Sequence, residues 1–140
     1  MYIDKVVLNH IKGFGHLSLD FSRDDGSYAG WTVFTGDNGS GKSTLLKAIA
    51  IGLTGRDVAR SLQPSFHRWI NEGSEKQSGT IELTLVPEKG TDEYLQGGRT
   101  SYSPFQAVIH LKAVNSDAML EEDASKKKAT SAQRGPWSGQ

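Results

Sequence analysis

Short runs of apolar and β-branched residues early in the chain predict a pair of strands. Residues 2–8 form the first run, with Ile, Val and Leu side chains between polar ones. Residues 16–21 alternate strictly, so that Leu17, Leu19 and Phe21 share one face. A turn with two glycines joins the two runs, and we therefore expect an antiparallel pair.

The same alternation returns later and predicts a second pair. Residues 80–86 alternate cleanly, and residues 105–114 place every second side chain from Ala107 to Ala113 on one apolar face. The connection over 87–104 is long and polar. This pattern favours an antiparallel hairpin with a long tip.

A change of pattern between the two pairs predicts a strand followed by a helix. Residues 31–35 are β-branched and aromatic, which is typical of a strand. Residues 44–51 are apolar nearly all round, as in a helix buried behind a sheet. We expect Gly52 and Gly55 to end this helix.

Two weaker helical patterns follow, and the apolar pattern then fades. Residues 57–62 read as a short helix that Pro64 interrupts, and residues 65–70 as another helical turn. Beyond Val114 we expect a polar tail over 115–140, either a mobile loop or a solvated helix, with 118–120 as its apolar cluster. Residues 1–114 then form one lobe.

Two tryptophans lie in apolar surroundings along the sequence. Trp31 precedes Val33 and Phe34, and Trp69 precedes Ile70. These neighbours favour core positions over stacking platforms for both side chains.

Bulk composition narrows the function classes. The 140 residues predict one domain or part of one, and 16 basic against 16 acidic residues give a net charge of zero, so no global basic field argues for nucleic acid. Cysteine is absent, which excludes thiolate metal sites. The N-terminus reads as a strand, and no run approaches the roughly 18 apolar residues of a membrane span. We expect a soluble cytoplasmic protein with no membrane partner.

Residues 36–43 carry the clearest chemistry, since they fit G-x-x-x-x-G-K-[ST], a phosphate-binding P-loop. A loop that aims several backbone N–H groups at a polyphosphate needs glycines, because unusual φ and ψ values are required. Lys42 would place its charge against the β- and γ-phosphates, and the Ser43 hydroxyl would ligate Mg²⁺. The following helix would point its positive end at the same anion. The sequence therefore predicts a nucleotide phosphate site that also holds Mg²⁺.

The N-terminal half also resembles a known family. Residues 11–14 and 19–21, together with residues 34–44, are similar to the opening of an SMC/RecF-type ATPase head, of the ABC-like P-loop class. The resemblance is strong over 1–55 and weak over 56–140. It implies an α/β P-loop NTPase fold, an ABC-ATPase-like head lobe with antiparallel β strands flanking a Walker A strand-loop-helix.

The resemblance also implies ligands and partners. Such heads bind ATP with Mg²⁺, and two heads sandwich two nucleotides as a homodimer. Hydrolysis then controls DNA binding or an associated effector, such as a nuclease subunit. The tail is loosely similar to anti-phage defence ATPases of the PtuA and OLD-like kind. The positions that match phosphate-binding residues are Gly36, Asn38, Gly39, Ser40, Gly41, Lys42, Ser43 and Thr44, with Lys12 as a basic residue near the nucleotide.

Several parts of a complete ATPase are missing from the sequence. The family needs an apolar strand that ends in Asp-Glu, where the Asp positions Mg²⁺ and the Glu activates water. Residues 121–123 are acidic, but only three apolar residues precede them, so we interpret this stretch as a helix face or loop. Residues 137–140 resemble a signature loop that lacks one glycine. We expect the catalytic acids and the signature loop beyond Gln140.

Three functions stay open on the sequence alone. The first is an ATPase, with Lys42 and Mg²⁺ as the electrophilic catalytic partners of the phosphates. The second is a scaffold subunit that holds ATP with little turnover. The third is a small P-loop kinase, which would leave the strand pair before the loop unexplained.

Overall fold

The computed structural model describes residues 1–28, 30–63, 65–74, 77–92, 94–96, 99–114 and 117–120. Across these ranges, no helix combines the length and the apolar character needed to cross a membrane. The elements in chain order are β1 (Tyr2–Ile11), β2 (Phe14–Asp20), α1 (Lys42–Leu62), β3 (Ser78–Val86), β4 (Tyr94–Gln96), β5 (Arg99–Ser101), β6 (Phe105–Val114) and β7 (Asp117–Leu120).

Five strands form one antiparallel sheet in the order β2-β1-β3-β6-β7. Val6 of β1 lies opposite Leu19 of β2 on one side and opposite Leu83 of β3 on the other. Ile81 of β3 lies opposite Ile109 of β6. Both antiparallel pairs predicted from the sequence are therefore confirmed, and β1 and β3 join them into a single sheet.

The core lies between one face of this sheet and one face of α1. Strand residues at every second position point inward, as period-2 alternation requires. From α1, Leu45, Ala48 and Ile51 are buried against them. The largest fully buried side chains are Trp69, Leu8, Ile11, Ile81, Leu83, Leu85, Leu111 and Val6. The core position predicted for Trp69 is confirmed.

The predicted end of the helix at Gly52 is wrong. α1 continues to Leu62, and the backbone leaves helical geometry only at Gly55, with φ 75° and ψ 171°. Gly52 serves packing instead, because a Cβ there would lie 2.5 Å from the Cδ1 atom of Leu83. The glycine lets α1 approach the sheet closely. The short helix predicted over 57–62 is present as the part of α1 beyond the kink.

The strand predicted over 31–35 is also wrong, because residues 31–37 adopt no strand in the structure. A strand needs a hydrogen-bonding neighbour, and none of the five strands of the sheet pairs with these residues. Trp31 is 92% exposed and Val33 is 80% exposed, so the core position predicted for Trp31 fails. Phe34 does reach the core and meets the Phe21 ring edge-on, at 6.2 Å between centroids.

Three further segments differ from the sequence prediction. Residues 118–120, predicted as helix or loop, lie in the edge strand β7, where Ala118 pairs with Ala113 of β6. Residues 65–70 form a turn instead of a helix, and Ile70 makes a β-bridge to Ile11. The long connection over 87–104 contains the β4–β5 hairpin. Residues 121–140 lie outside the described part of the chain.

A polar corner ties the start of β1 to the turn after β3. The Met1 α-ammonium forms an ion pair with Asp92, whose carboxylate also accepts a hydrogen bond from the Glu88 backbone N–H at 2.8 Å. These two donors hold the pKa of Asp92 below its usual value. The Tyr2 hydroxyl donates to Glu88 at 3.0 Å, which raises the pKa of Tyr2, and the Tyr2 ring stacks on Tyr28.

Replacing Gly52 with alanine should destabilise the fold. Overpacking costs roughly 1–3 kcal/mol of stability. The added methyl group would meet the fully buried Leu83, so we expect a cost near the upper end of this range. The higher helix propensity of alanine offsets about 1 kcal/mol of that cost. We expect Gly52→Ala to lower the unfolding free energy in urea by about 1–2 kcal/mol.

The exposed position Ala50 provides the matched control for Gly52. Ala50→Gly changes helix propensity alone and should cost about 1 kcal/mol. A Gly52→Ala protein as stable as the wild type would show that α1 does not depend on this close approach.

The Asp92 ion pair should make stability depend on pH in acid. Because the folded pKa of Asp92 is lowered, its contribution is fully present above the unfolded pKa of about 3.9 and is lost as pH falls through the folded pKa. Urea unfolding should therefore show Asp92→Asn less stable than the wild type at neutral pH, with the difference shrinking in acid. Asp20→Asn, which removes an exposed pair with Lys5, is the control and should change stability less. A constant Asp92→Asn deficit at every pH would contradict this account.

Candidate functional site

The loop before α1 is shaped by three glycines with positive φ. Gly36, Gly39 and Gly41 have φ values of 151°, 85° and 93°. A short turn between them is closed by the Ser40 N–H, which donates to the Asp37 carbonyl at 3.2 Å. We call residues 36–41 the nest, because glycines in such conformations let a loop turn several backbone N–H groups toward an anion.

The N-terminal end of α1 completes this nest. Gly41 is the N-cap residue, and it provides no side chain to accept from the first amides of the helix. The first turn contains no acidic residue. The Leu45 N–H donates to the Gly41 carbonyl at 2.9 Å and so begins the helix. The free amides and the helix dipole therefore present positive charge without an internal counter-charge.

The Lys42 side chain folds back and forms hydrogen bonds with the loop that precedes it. Its Nζ atom donates to the Gly36 carbonyl at 2.6 Å, to the Asp37 carbonyl at 2.7 Å and to Ser40 Oγ at 3.3 Å. All three acceptors are neutral oxygen atoms. The ammonium is thus held at the mouth of the nest by neutral partners and can exchange them for anionic oxygens.

The remaining predicted residues lie in the same loop and in the first turn of α1. Asn38 and Ser43 are exposed, and Thr44 is half-buried in the first turn of α1. The Ser43 hydroxyl is an accessible hard oxygen donor, the ligand type that Mg²⁺ prefers, and Mg²⁺ takes most of its other ligands from phosphate and water. Ser43 therefore fits the predicted role as one protein ligand.

No protein-only metal site accompanies it within the described ranges. No group of three or more His, Asp or Glu side chains there is arranged to hold a metal. The acidic residues 121–123 and the signature-like residues 137–140 lie outside those ranges. Their interpretation from the sequence therefore stays a prediction.

Lys12 occupies the tight turn between β1 and β2, at φ 48°. Its Nζ lies 5.0 Å from the centre of the Trp69 ring, within cation–π range. Its backbone N–H donates to the Trp69 carbonyl at 2.7 Å, and its carbonyl accepts from Asn71 Nδ2. Asn71 Oδ1 also accepts from the Gly73 N–H at 2.8 Å. The turn is therefore held by residues 69–71 on three sides.

Phe14 brings this turn to the loop. Its ring edge occupies the space that a Cβ at Gly41 would need, since that Cβ would lie 2.4 Å from Phe14 Cζ. The structure thus brings the predicted residues 36–44 together on one loop and helix end, and it sets Lys12 in the adjoining turn. Sequence reasoning missed Phe14, Trp69 and Asn71 as neighbours of the site. An aromatic residue between two glycines at a turn was the signal available for Phe14.

Comparison with known proteins gives a consistent group of matches. The model of a family described as an AAA domain matches residues 5–134. The Septu protein PtuA of Bacillus mycoides is 28% identical over 88 residues, 62% of this chain and 12% of that protein. The DNA double-strand break repair Rad50 ATPase of Nanoarchaeum equitans is 38% identical over 86 residues, 61% of this chain and 9% of that protein.

A third relative and a solved structure extend the group. The DNA replication and repair protein RecF of Symbiobacterium thermophilum is 33% identical over 94 residues, 61% of this chain and 23% of that protein. A structure from work on ATP-driven dimerization and DNA stimulated activation of SMC ATPases superimposes with a TM-score of 0.51 at 21% identity, over 86% of this chain and 69% of the other. The structural likeness is one of fold. The chain spans less than a quarter of the length of these three relatives.

Asn71 should stabilise the turn that carries Lys12. Asn71→Ala removes hydrogen bonds to the Lys12 carbonyl and from the Gly73 N–H, each contributing about 1 kcal/mol. We expect the unfolding free energy in urea to fall by roughly 1–2 kcal/mol. Asn38→Ala, at an exposed position, is the matched control and should stay within about 0.5 kcal/mol of the wild type. Equal behaviour of the two variants would contradict the bracing role of Asn71.

Proposed function

Because this chain belongs to the AAA domain family that matches residues 5–134, and is an N-terminal region of the SMC/RecF-type, ABC-like ATPases, we propose that residues 36–44 bind the triphosphate of ATP. The predicted fold class, an α/β P-loop ATPase head lobe, is confirmed by the structural match. The Rad50 relative is named an ATPase, and this favours ATP hydrolysis over the kinase alternative, in which a phosphoryl group is transferred to a metabolite.

One observation carries the proposal: the nest, the uncapped end of α1 and the Lys42 ammonium converge on one exposed loop. Backbone N–H groups and a flexible lysine are complementary to phosphate oxygens, which carry negative charge at neutral pH. In the proposed complex, Lys42 exchanges the Gly36 and Asp37 carbonyls and Ser40 Oγ for β- and γ-phosphate oxygens. Neutral acceptors are weaker partners than anionic ones, so this exchange favours the nucleotide.

Mg²⁺ fits the same site through Ser43. The exposed hydroxyl in the first turn of α1 would supply one oxygen ligand. A bound Mg²⁺ neutralises phosphate charge. The residues of this chain contribute binding and orientation of the phosphates.

Lys12 is proposed as a second cation near the nucleotide. The contact between Phe14 and Gly41 joins its turn to the loop, and Trp69 holds the ammonium by a cation–π contact. A cation fixed on an aromatic ring loses less side-chain freedom on meeting an anion than a freely moving lysine does.

The proposed activity of the whole protein is ATP hydrolysis by paired heads. The related structure comes from work on ATP-driven dimerization and DNA stimulated activation, and Rad50 is named for DNA double-strand break repair. We infer a homodimer of heads whose nucleotide state controls DNA binding or an effector. The similarity to PtuA supports the narrower proposal of a role in anti-phage defence, in the cytoplasm.

An exposed apolar surface supports the proposal that further segments complete the head. Leu46, Val58 and Leu62 on α1 are 54%, 51% and 59% exposed, and Trp31 and Val33 are exposed more fully. Contiguous exposed apolar patches often mark surfaces that other segments or partners cover. We propose that segments of the longer protein pack here and supply the catalytic acids and the signature loop.

Removing the Lys42 ammonium should abolish most of the ATP affinity. Hydrogen bonds to charged groups contribute about 1.5–3 kcal/mol, so calorimetry on Lys42→Ala with Mg²⁺ should show affinity lowered by at least about tenfold. Lys47→Ala removes an equal charge from an exposed position on α1 and should bind ATP like the wild type. Unchanged ATP affinity in Lys42→Ala would overturn the assignment of the site.

A further inference from the structure

The contact between Phe14 and Gly41 joins two parts of the fold that are distant in sequence. Phe14 begins β2 and pairs with Ile11 across the hairpin, and it is half-buried against the core. A Cβ built on Gly41 would lie 2.4 Å from the Cζ atom of Phe14, 2.9 Å from Cε2 and 3.3 Å from Cε1. The far edge of the ring therefore lies directly against the backbone of Gly41.

Gly41 stands at the turning point of the phosphate-binding loop. It has φ 93° and ψ 4°, and its carbonyl accepts the first hydrogen bond of α1 from Leu45. Glycine reaches many other conformations at low cost, so its own backbone does not hold it in this one. The neighbouring residues 36–40 are exposed and contribute no core packing. The contact with Phe14 restricts Gly41 from outside the loop, in addition to the Lys42 hydrogen bonds within it.

The hairpin end that carries Phe14 is itself held by the segment 69–71. Backbone hydrogen bonds run from Lys12 N–H to the Trp69 carbonyl, at 2.7 Å, and from Asn71 N–H to the His10 carbonyl, at 2.9 Å. Trp69 is 2% exposed, so the segment 69–71 is anchored in the core. The hairpin end cannot move away from the loop without breaking these bonds.

We propose that Phe14 is a positioning residue for the P-loop, which it holds in the phosphate-binding shape by supporting Gly41. This rests on the proposed ATP site and adds a residue that touches neither phosphate nor metal. A loop that is ordered before binding pays a smaller entropy cost when the ligand arrives. Removal of the ring edge should therefore weaken ATP binding without altering any group that contacts ATP.

Two substitutions of similar size separate this role from simple core packing. Leucine at position 14 keeps the apolar contacts near the backbone but is branched and too short to reach Gly41. Methionine is unbranched and flexible and can extend along the path of the ring. Such apolar exchanges conserve most of the volume, so Phe14→Leu and Phe14→Met should unfold at similar urea concentrations.

ATP affinity should differ between the two variants. By calorimetry on the full chain with Mg²⁺, we expect Phe14→Leu to bind ATP about fivefold more weakly than the wild type, and Phe14→Met within about twofold of it. Leu17→Ala is a stability control on the same strand, because Leu17 packs on the core and should leave ATP affinity unchanged. Equal ATP affinity in the leucine and methionine variants would overturn the proposal.

Hydrogen exchange without nucleotide gives an independent readout. The Ser40 and Leu45 amides are hydrogen-bonded to the Asp37 and Gly41 carbonyls, and they report the shape of the loop. Both should exchange faster in Phe14→Leu than in Phe14→Met or Leu17→Ala. Equal exchange rates in all three variants would overturn the positioning role. Failure of the wild type to bind ATP would instead overturn the proposed function, and exchange would still decide the role of Phe14.

Discussion

The approach of α1 to the sheet at Gly52 is the constraint on which the site depends. The helix is continuous from Lys42 to the kink at Gly55, and its inner face is buried on the sheet through Leu45, Ala48 and Ile51. Because α1 is fixed against the sheet along its inner face, its first residue is fixed too, and residues 36–41 lie directly before it. The missing side chain at Gly52 thus sets the depth of the helix and, through it, the position of the loop.

The loop itself has no core of its own and takes its shape from its neighbours. The end of α1 supports one side of Gly41, and the β1–β2 hairpin supports the other through Phe14. Lys42 closes the loop with hydrogen bonds to its carbonyls. An exposed, glycine-rich segment is ordinarily among the least stable parts of a protein, and here α1 and the β1–β2 hairpin both contact it.

What the sequence could predict depended on the range of the interactions involved. The strands β1, β2, β3 and β6 were predicted correctly because period-2 alternation determines them. Local residue types predict the phosphate-binding role of residues 36–44, which stays a prediction. Gly52 was misread because a glycine that ends a helix and one that lets it pack closely look alike in one sequence. Residues 31–35 have strand composition, but a strand also needs a partner, which composition does not provide.

The sequence failed to predict one short strand and one long-range contact, for related reasons. The edge strand β7 has only four residues, too few for alternation to identify. The contact of Phe14 with Gly41 joins residues 27 positions apart and leaves no periodic pattern. Both features depend on the assembled sheet, which brings together residues that are far apart in the sequence.

The exposed apolar surface also bears on how the isolated chain behaves in solution. Trp31, Val33 and several apolar side chains of α1 are exposed and can contact other molecules. The formal net charge is zero, so there is no long-range repulsion between molecules. Proteins without net charge have low colloidal stability, and exposed apolar patches lower it further. The chain should be least soluble near neutral pH, where its positive and negative charges balance.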